Sequence, residues 1–134
     1  AEQKQVNLAI ENLNSIPHLD SIYAELSSER LGFCYDSGHE HFIHPNADCL
    51  SRYRNKLFAV HLHDNCGDND AHLLPYDGTI EWDAVRAKLK ACREIPYLTL
   101  EVDFKREHPK SALYRDLSAA EFLALAYARL QLLA

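Results

Sequence analysis

Four side chains able to hold a divalent cation stand at the ends of four apolar runs: Glu11, Asp36, His61 and Glu101. Three carboxylates and one imidazole make a mixed oxygen and nitrogen donor set. That chemistry suits Mn²⁺, Mg²⁺, Co²⁺ or Zn²⁺. A single acid at a strand end is better read as a helix cap or a solvated group. Four of them in register point to one shared site. More imidazoles and acids cluster nearby. His39 lies three residues beyond Asp36, with Gly38 between them as an expected sharp turn. His63 lies two residues beyond His61, on the same side of an extended chain, and the run continues through Asp64 to Asp70 and His72. Asp70 and His72 are candidates either for a second metal site or for holding substrate. His41, His44 and His108 are read as solvated.

The elements that must carry these residues alternate in type. Strands are expected at 6–11, 31–36, 57–63 and 97–102, each nearly apolar until its last residues. Helical stretches are expected at 17–26, 45–53 and 80–90, the last with apolar residues at 82, 85 and 89 on one face. A long polar loop spans 64–78, closing with a turn at Asp77-Gly78. Trp82 is expected in the core or in a pocket wall. Ser118-Ala119-Ala120-Glu121 reads as a capping box opening a final helix that runs through Leu133. Continuous apolar strands imply burial on both faces, so the fold class is α/β, with four parallel βα units in one domain. In such a sheet the C-terminal strand ends share one face, which brings the four candidate ligands together.

Composition bounds the function. The chain has 134 residues, 47% hydrophobic and 25% charged, with a formal net charge of −6. An acidic balance speaks against nucleic-acid binding through a general basic surface. No apolar run approaches the ~20 residues of a membrane span. No secretion signal is visible, so a cytoplasmic location is expected, with Cys34, Cys49, Cys66 and Cys92 as reduced thiols. The chain begins at Ala1 and contains no Met, which suggests a piece of something longer.

The ordered stretches Leu8-Ala9-Ile10-Glu11-Asn12, 32–39, 60–64, 70–80 and Leu98-Thr99-Leu100-Glu101-Val102 resemble the C-terminal half of the xylose-isomerase-like (β/α)8 barrels. That superfamily holds sugar and sugar phosphate isomerases and epimerases as well as endonuclease IV-like AP endonucleases. The resemblance implies half of a TIM-type barrel. It implies that Glu11, Asp36, His61 and Glu101 hold one metal, and that His39 binds substrate in an epimerase or a second metal in a nuclease. Asp70 and His72 match further nuclease ligands. His63, where relatives vary, joins His39 as a substrate-binding candidate. The implied reaction is proton transfer through a metal-stabilised enediolate, with Glu11 and Glu101 as the catalytic acid and base. The alternatives are metal-dependent cleavage of abasic DNA, or an inactive half-barrel. Lys105 and Arg106 are candidates for holding an anion. A full barrel takes about 250 residues. A lone half leaves two open edges, so the chain is expected to pair with itself or with an N-terminal half.

Overall fold

The computed structural model describes residues 1–13, 15–92, 97–104 and 114–134. Four strands, β1 (Leu8–Glu11), β2 (Leu31–Asp36), β3 (Leu57–Leu62) and β4 (Thr99–Leu100), form one sheet in the order β1-β2-β3-β4. All three pairings are parallel. The helices are α1 (Ile16–Glu25), α2 (Ser37–Ile43), α3 (Cys49–Arg52), α4 (Trp82–Lys90) and α5 (Ala119–Gln131).

Alternation along the strands sorts the side chains. Phe33 and Tyr35 of β2 and Val60 and Leu62 of β3 pack in one core with Ile16 and Leu19 of α1, Leu50 of α3, and Trp82 and Val85 of α4. Each large side chain buried there contributes roughly 1.5–3 kcal/mol. The alternate positions, Cys34 and Asp36, look to the other face. β2 is buried throughout, as a central strand covered on both sides must be. The register slips between Phe33 and Cys34, which pair with Leu57 and Ala59. The residue skipped is Phe58. Its ring lies over Gly32, where a Cβ would stand 2.1 Å from the ring.

Several boundaries differ from the sequence expectation. The helix expected at 45–53 shrinks to α3, because Asp48 adopts a left-handed φ of 44° just before it. Gly38 does not make a sharp turn. It lies inside α2, a helix whose N-cap is Asp36 itself. Glycine is required there because a Cβ would lie 1.9 Å from the His63 ring. β4 is only two residues long. The capping box is present as expected: the Ser118 hydroxyl accepts from Glu121 N–H, and Glu121 accepts from Ser118 N–H. Trp82 is a core residue.

No helix among the described residues is long and apolar enough to cross a membrane. Both outer strands of the described sheet are unpaired on one side. Val6, two residues before β1, and Leu8, its first residue, are 55% and 53% exposed.

Candidate metal centre

Glu11 ends β1, Asp36 ends β2, His61 lies near the end of β3 and Glu101 follows β4. One donor atom from each lies within 4.8 Å of all the others. Parallel pairing delivers this, with Asp36 directly opposite His61 in the register. The Nδ1 of His61 is 2.7 Å from Glu11 Oε1 and 2.8 Å from Glu101 Oε2. One ring nitrogen cannot satisfy two carboxylates, so the group is short of positive charge. Cys34, on the same face as Asp36, brings its thiol within reach of Glu11 and His61. Burial, then the carboxylates of Glu11, Asp36 and Glu101, pushes this thiol up to about 12. It therefore stays protonated beside the acids. The sequence reading missed Cys34, although its spacing of two from Asp36 was the available signal.

Asp36 is held from several sides. Asn12, buried beside Glu11, donates from Nδ2 to the Asp36 carbonyl at 2.9 Å and accepts from Asp36 N–H at 2.7 Å. The Oδ1 atom caps α2 by accepting from His39 N–H at 2.7 Å. The Nε2 of His63 stands 3.0 Å from the same Oδ1. Burial raises the Asp36 carboxyl, but His63 and the His39 N–H outweigh it and hold it below the usual carboxylate range. Oδ2 is buried and has no hydrogen-bond partner. An orphaned carboxylate oxygen in a group of three acids and one imidazole fits a divalent cation.

The neighbouring cluster centres on Asp70. Its oxygens lie 3.6 Å from His39 Nε2, 3.6 Å from His63 Nε2 and 3.2 Å from His72 Nε2. Two further donor groups converge here, Asp36 with His39 and His63, and His63 with Asp70 and His72. Three imidazoles, His39, His63 and His72, thus surround the Asp70 carboxylate; of the expected trio, Asp70 and His72 share a donor group with His63, and His39 shares one with Asp36 and His63. His63 is 0% exposed. Burial lowers its pKa, but Asp36, Asp70 and Glu101 reverse this and raise it above its ordinary value. His72 adopts a left-handed φ of 48°, and its Nδ1 bonds the Glu101 carbonyl at 2.8 Å. This bond ties the loop to the end of β4.

The polar loop is anchored by Asp64, which the sequence reading did not single out. Its buried carboxylate accepts from the N–H groups of Asn65, Ile80 and Tyr76 and from Trp82 Nε1. Gly78 must lack a side chain, since a Cβ would meet Asp64 Oδ1 at 2.0 Å. His41 and His44 lie outside the donor groups and bond Thr79 Oγ1 and the Leu13 carbonyl. Lys105, Arg106 and His108 lie outside the described residues. All four cysteines are free thiols.

A family model described as xylose isomerase-like TIM barrel matches residues 1–123. The uncharacterized protein y4fM of Sinorhizobium fredii is 35% identical over 111 residues, which is 78% of this chain and 36% of that protein. A solved D-tagatose 3-epimerase-like protein superposes with a TM-score of 0.66 at 22% identity, covering 97% of this chain and 51% of that one. The IolI protein, solved with a binding zinc atom, superposes with a TM-score of 0.76 at 22% identity, covering 99% of this chain and 50% of that one. The chain therefore spans about half the length of these solved proteins and about a third of the curated relative. At this identity the likeness shows the fold, an α/β unit matching half of a TIM-type barrel.

Proposed function

Because the chain belongs to the xylose isomerase-like TIM barrel family, we propose that it carries the metal-binding half of a divalent-metal-dependent sugar or sugar phosphate isomerase or epimerase. The observation that carries this reading is the convergence of Glu11, Asp36, His61 and Glu101 within 4.8 Å, drawn from four different strand ends. These four would hold the ion, in keeping with the zinc atom bound in the IolI structure. A bound Mn²⁺, Mg²⁺, Co²⁺ or Zn²⁺ supplies Lewis-acid stabilisation to charge building on substrate oxygens.

The chain's own groups move the proton. Glu11 and Glu101 flank His61 from the two outer strands, with side chains 28% and 45% exposed. One carboxylate takes the proton from the carbon beside the carbonyl, and the other returns it. Delivery from two sides is what inversion at a single carbon requires. His39, at the edge of the donor group, is the residue to orient a substrate hydroxyl. His63 is placed too deep for direct contact, behind Asp36.

The test is exchange of a substrate C–H with deuterated solvent, followed by NMR over a panel of ketoses and their phosphates with Mn²⁺ or Co²⁺ present. Exchange is expected for the wild-type chain as it assembles in solution, and Glu101→Gln should abolish it. Undiminished exchange in that variant would overturn the assignment. A second reading, cleavage of abasic DNA with more than one metal, is favoured by the three imidazoles around Asp70. The charge of −6 speaks against it, since duplex affinity comes largely from Lys and Arg on phosphates. Salt-sensitive binding to an abasic duplex would decide for the nuclease. The open edges of β1 and β4 imply a partner that closes the sheet, either a second copy or an N-terminal half-barrel.

A further inference from the structure

His63 is the one fully buried imidazole of the cluster, and neither of its ring nitrogens has an aligned hydrogen-bond partner. Distance alone would make it a ligand for a second ion with Asp70 and His72. Ring geometry argues otherwise. The His63 and His72 rings are stacked, with centroids 4.0 Å apart and planes 4° from parallel. An imidazole nitrogen donates its lone pair in the ring plane. Two parallel, stacked rings therefore cannot aim their lone pairs at one ion. The structure offers His63 a different role.

We propose that His63 is a positioning residue that sets the orientation of the Asp36 carboxylate, and so the affinity of the four-residue metal centre. The backbones of both residues are locked together. Ser37 Oγ donates to the His63 carbonyl at 2.8 Å and accepts from His63 N–H at 3.0 Å. Asn12 clamps the Asp36 backbone from the other side. Within that frame His63 Nε2 stands 3.0 Å from Oδ1, the oxygen that already caps α2. The α2 cap and the nearby His63 nitrogen both lie at Oδ1, which leaves the unpartnered Oδ2 free to meet an ion. Stacking on His72 holds the ring from one face, and the missing side chain of Gly38 admits its edge. Partners of this kind, one shell behind the ligands, typically carry 10- to 100-fold of metal affinity.

This inference rests on the metal reading, so its test has an arm that needs no metal. Long-range ¹⁵N–¹H NMR of the metal-free chain at pH 8 is expected to find His63 Nε2 protonated, as a donor toward Asp36. An Nε2 lone pair would overturn the proposal. In the second arm, the Zn²⁺ dissociation constant is measured by chelator competition for the wild type, His63→Phe, His63→Gln and Gly38→Ala. The phenylalanine keeps the stacked ring and removes the nitrogen. It is expected to weaken Zn²⁺ binding at least 10-fold, with recovery in the glutamine variant, whose amide can donate again. Gly38→Ala, which displaces the ring, should weaken binding as well. Thermal melting of the metal-free variants separates this from a packing role, which would lower the melting temperature without changing affinity. Wild-type affinity in a folded His63→Phe protein overturns the proposal. So does a fall from two bound ions to one, which would make His63 itself a ligand. If the wild type binds no Zn²⁺, the metal reading fails, and the NMR arm still decides where His63 places its proton.

Discussion

Asp64 offers the sharpest test of how the loop bearing Asp70 and His72 is held. Its carboxylate is fully buried and accepts four hydrogen bonds. Oδ1 takes Asn65 N–H at 2.9 Å and Ile80 N–H at 3.1 Å. Oδ2 takes Tyr76 N–H at 3.0 Å and Trp82 Nε1 at 2.7 Å. Asp64→Asn keeps the shape but turns one acceptor into a donor, so two buried N–H groups face an N–H₂. An orphaned buried donor costs about 1–3 kcal/mol, which puts the substitution at about 3 kcal/mol. With a urea slope of about 2 kcal/mol per molar for a chain of this size, the unfolding midpoint should fall by about 1.5 M. The assay reports from the site itself, because Trp82 is the sole tryptophan in the chain. Its emission should change in folded Asp64→Asn, as the indole N–H no longer faces a carboxylate. A midpoint within about 0.3 M of wild type, with unchanged emission, would refute the claim that this carboxylate anchors the loop; the 0.3 M bound is one fifth of the shift expected from the orphaned donors.

Other consequences can be checked with the same protein. A divalent ion present at a hundred times its dissociation constant should add about 2.7 kcal/mol of stability, a rise of roughly 6–12 °C in melting temperature. That rise should vanish in His61→Ala and be reversed by a chelator. Alkylation of the native chain at pH 8 should modify Cys66 first, because burial pushes the Cys34 and Cys49 thiols up to about 12. Peptide mass spectrometry that found Cys34 labelled as fast as Cys66 would contradict the buried placement of that strand. Sedimentation should show self-association or capture of a complementary half-barrel, driven by the open edges and the exposed Val6 and Leu8 around the start of β1. A compact, stable monomer at all concentrations would sink that expectation.

Much of the frame was legible because it depends on local periodicity. The run Leu31–Asp36 is a strand with the bounds expected, since an unbroken apolar stretch ending in an acid has few other uses. The box at Ser118 works through a contact only three residues long. The alternation of strands and helices was enough to imply a parallel sheet, and parallel strands must end on one face. The convergence of Glu11, Asp36, His61 and Glu101 follows from that topology. Helix α2 was missed because Gly38 and the histidines around it are weak helix formers, and its start depends on Asp36 serving as N-cap.

The chain's linear pattern thus determined the fold class, the order of the units and the identity of the four convergent donors. Tertiary structure alone decided what surrounds them. That Asn12 clamps Asp36, that His63 lies buried behind it, that Gly38 is small to admit a ring and that Asp64 ties down a long loop are all contacts between segments far apart in sequence. No periodicity records such contacts. They arise because buried polar groups must find partners wherever the packed fold brings one within reach.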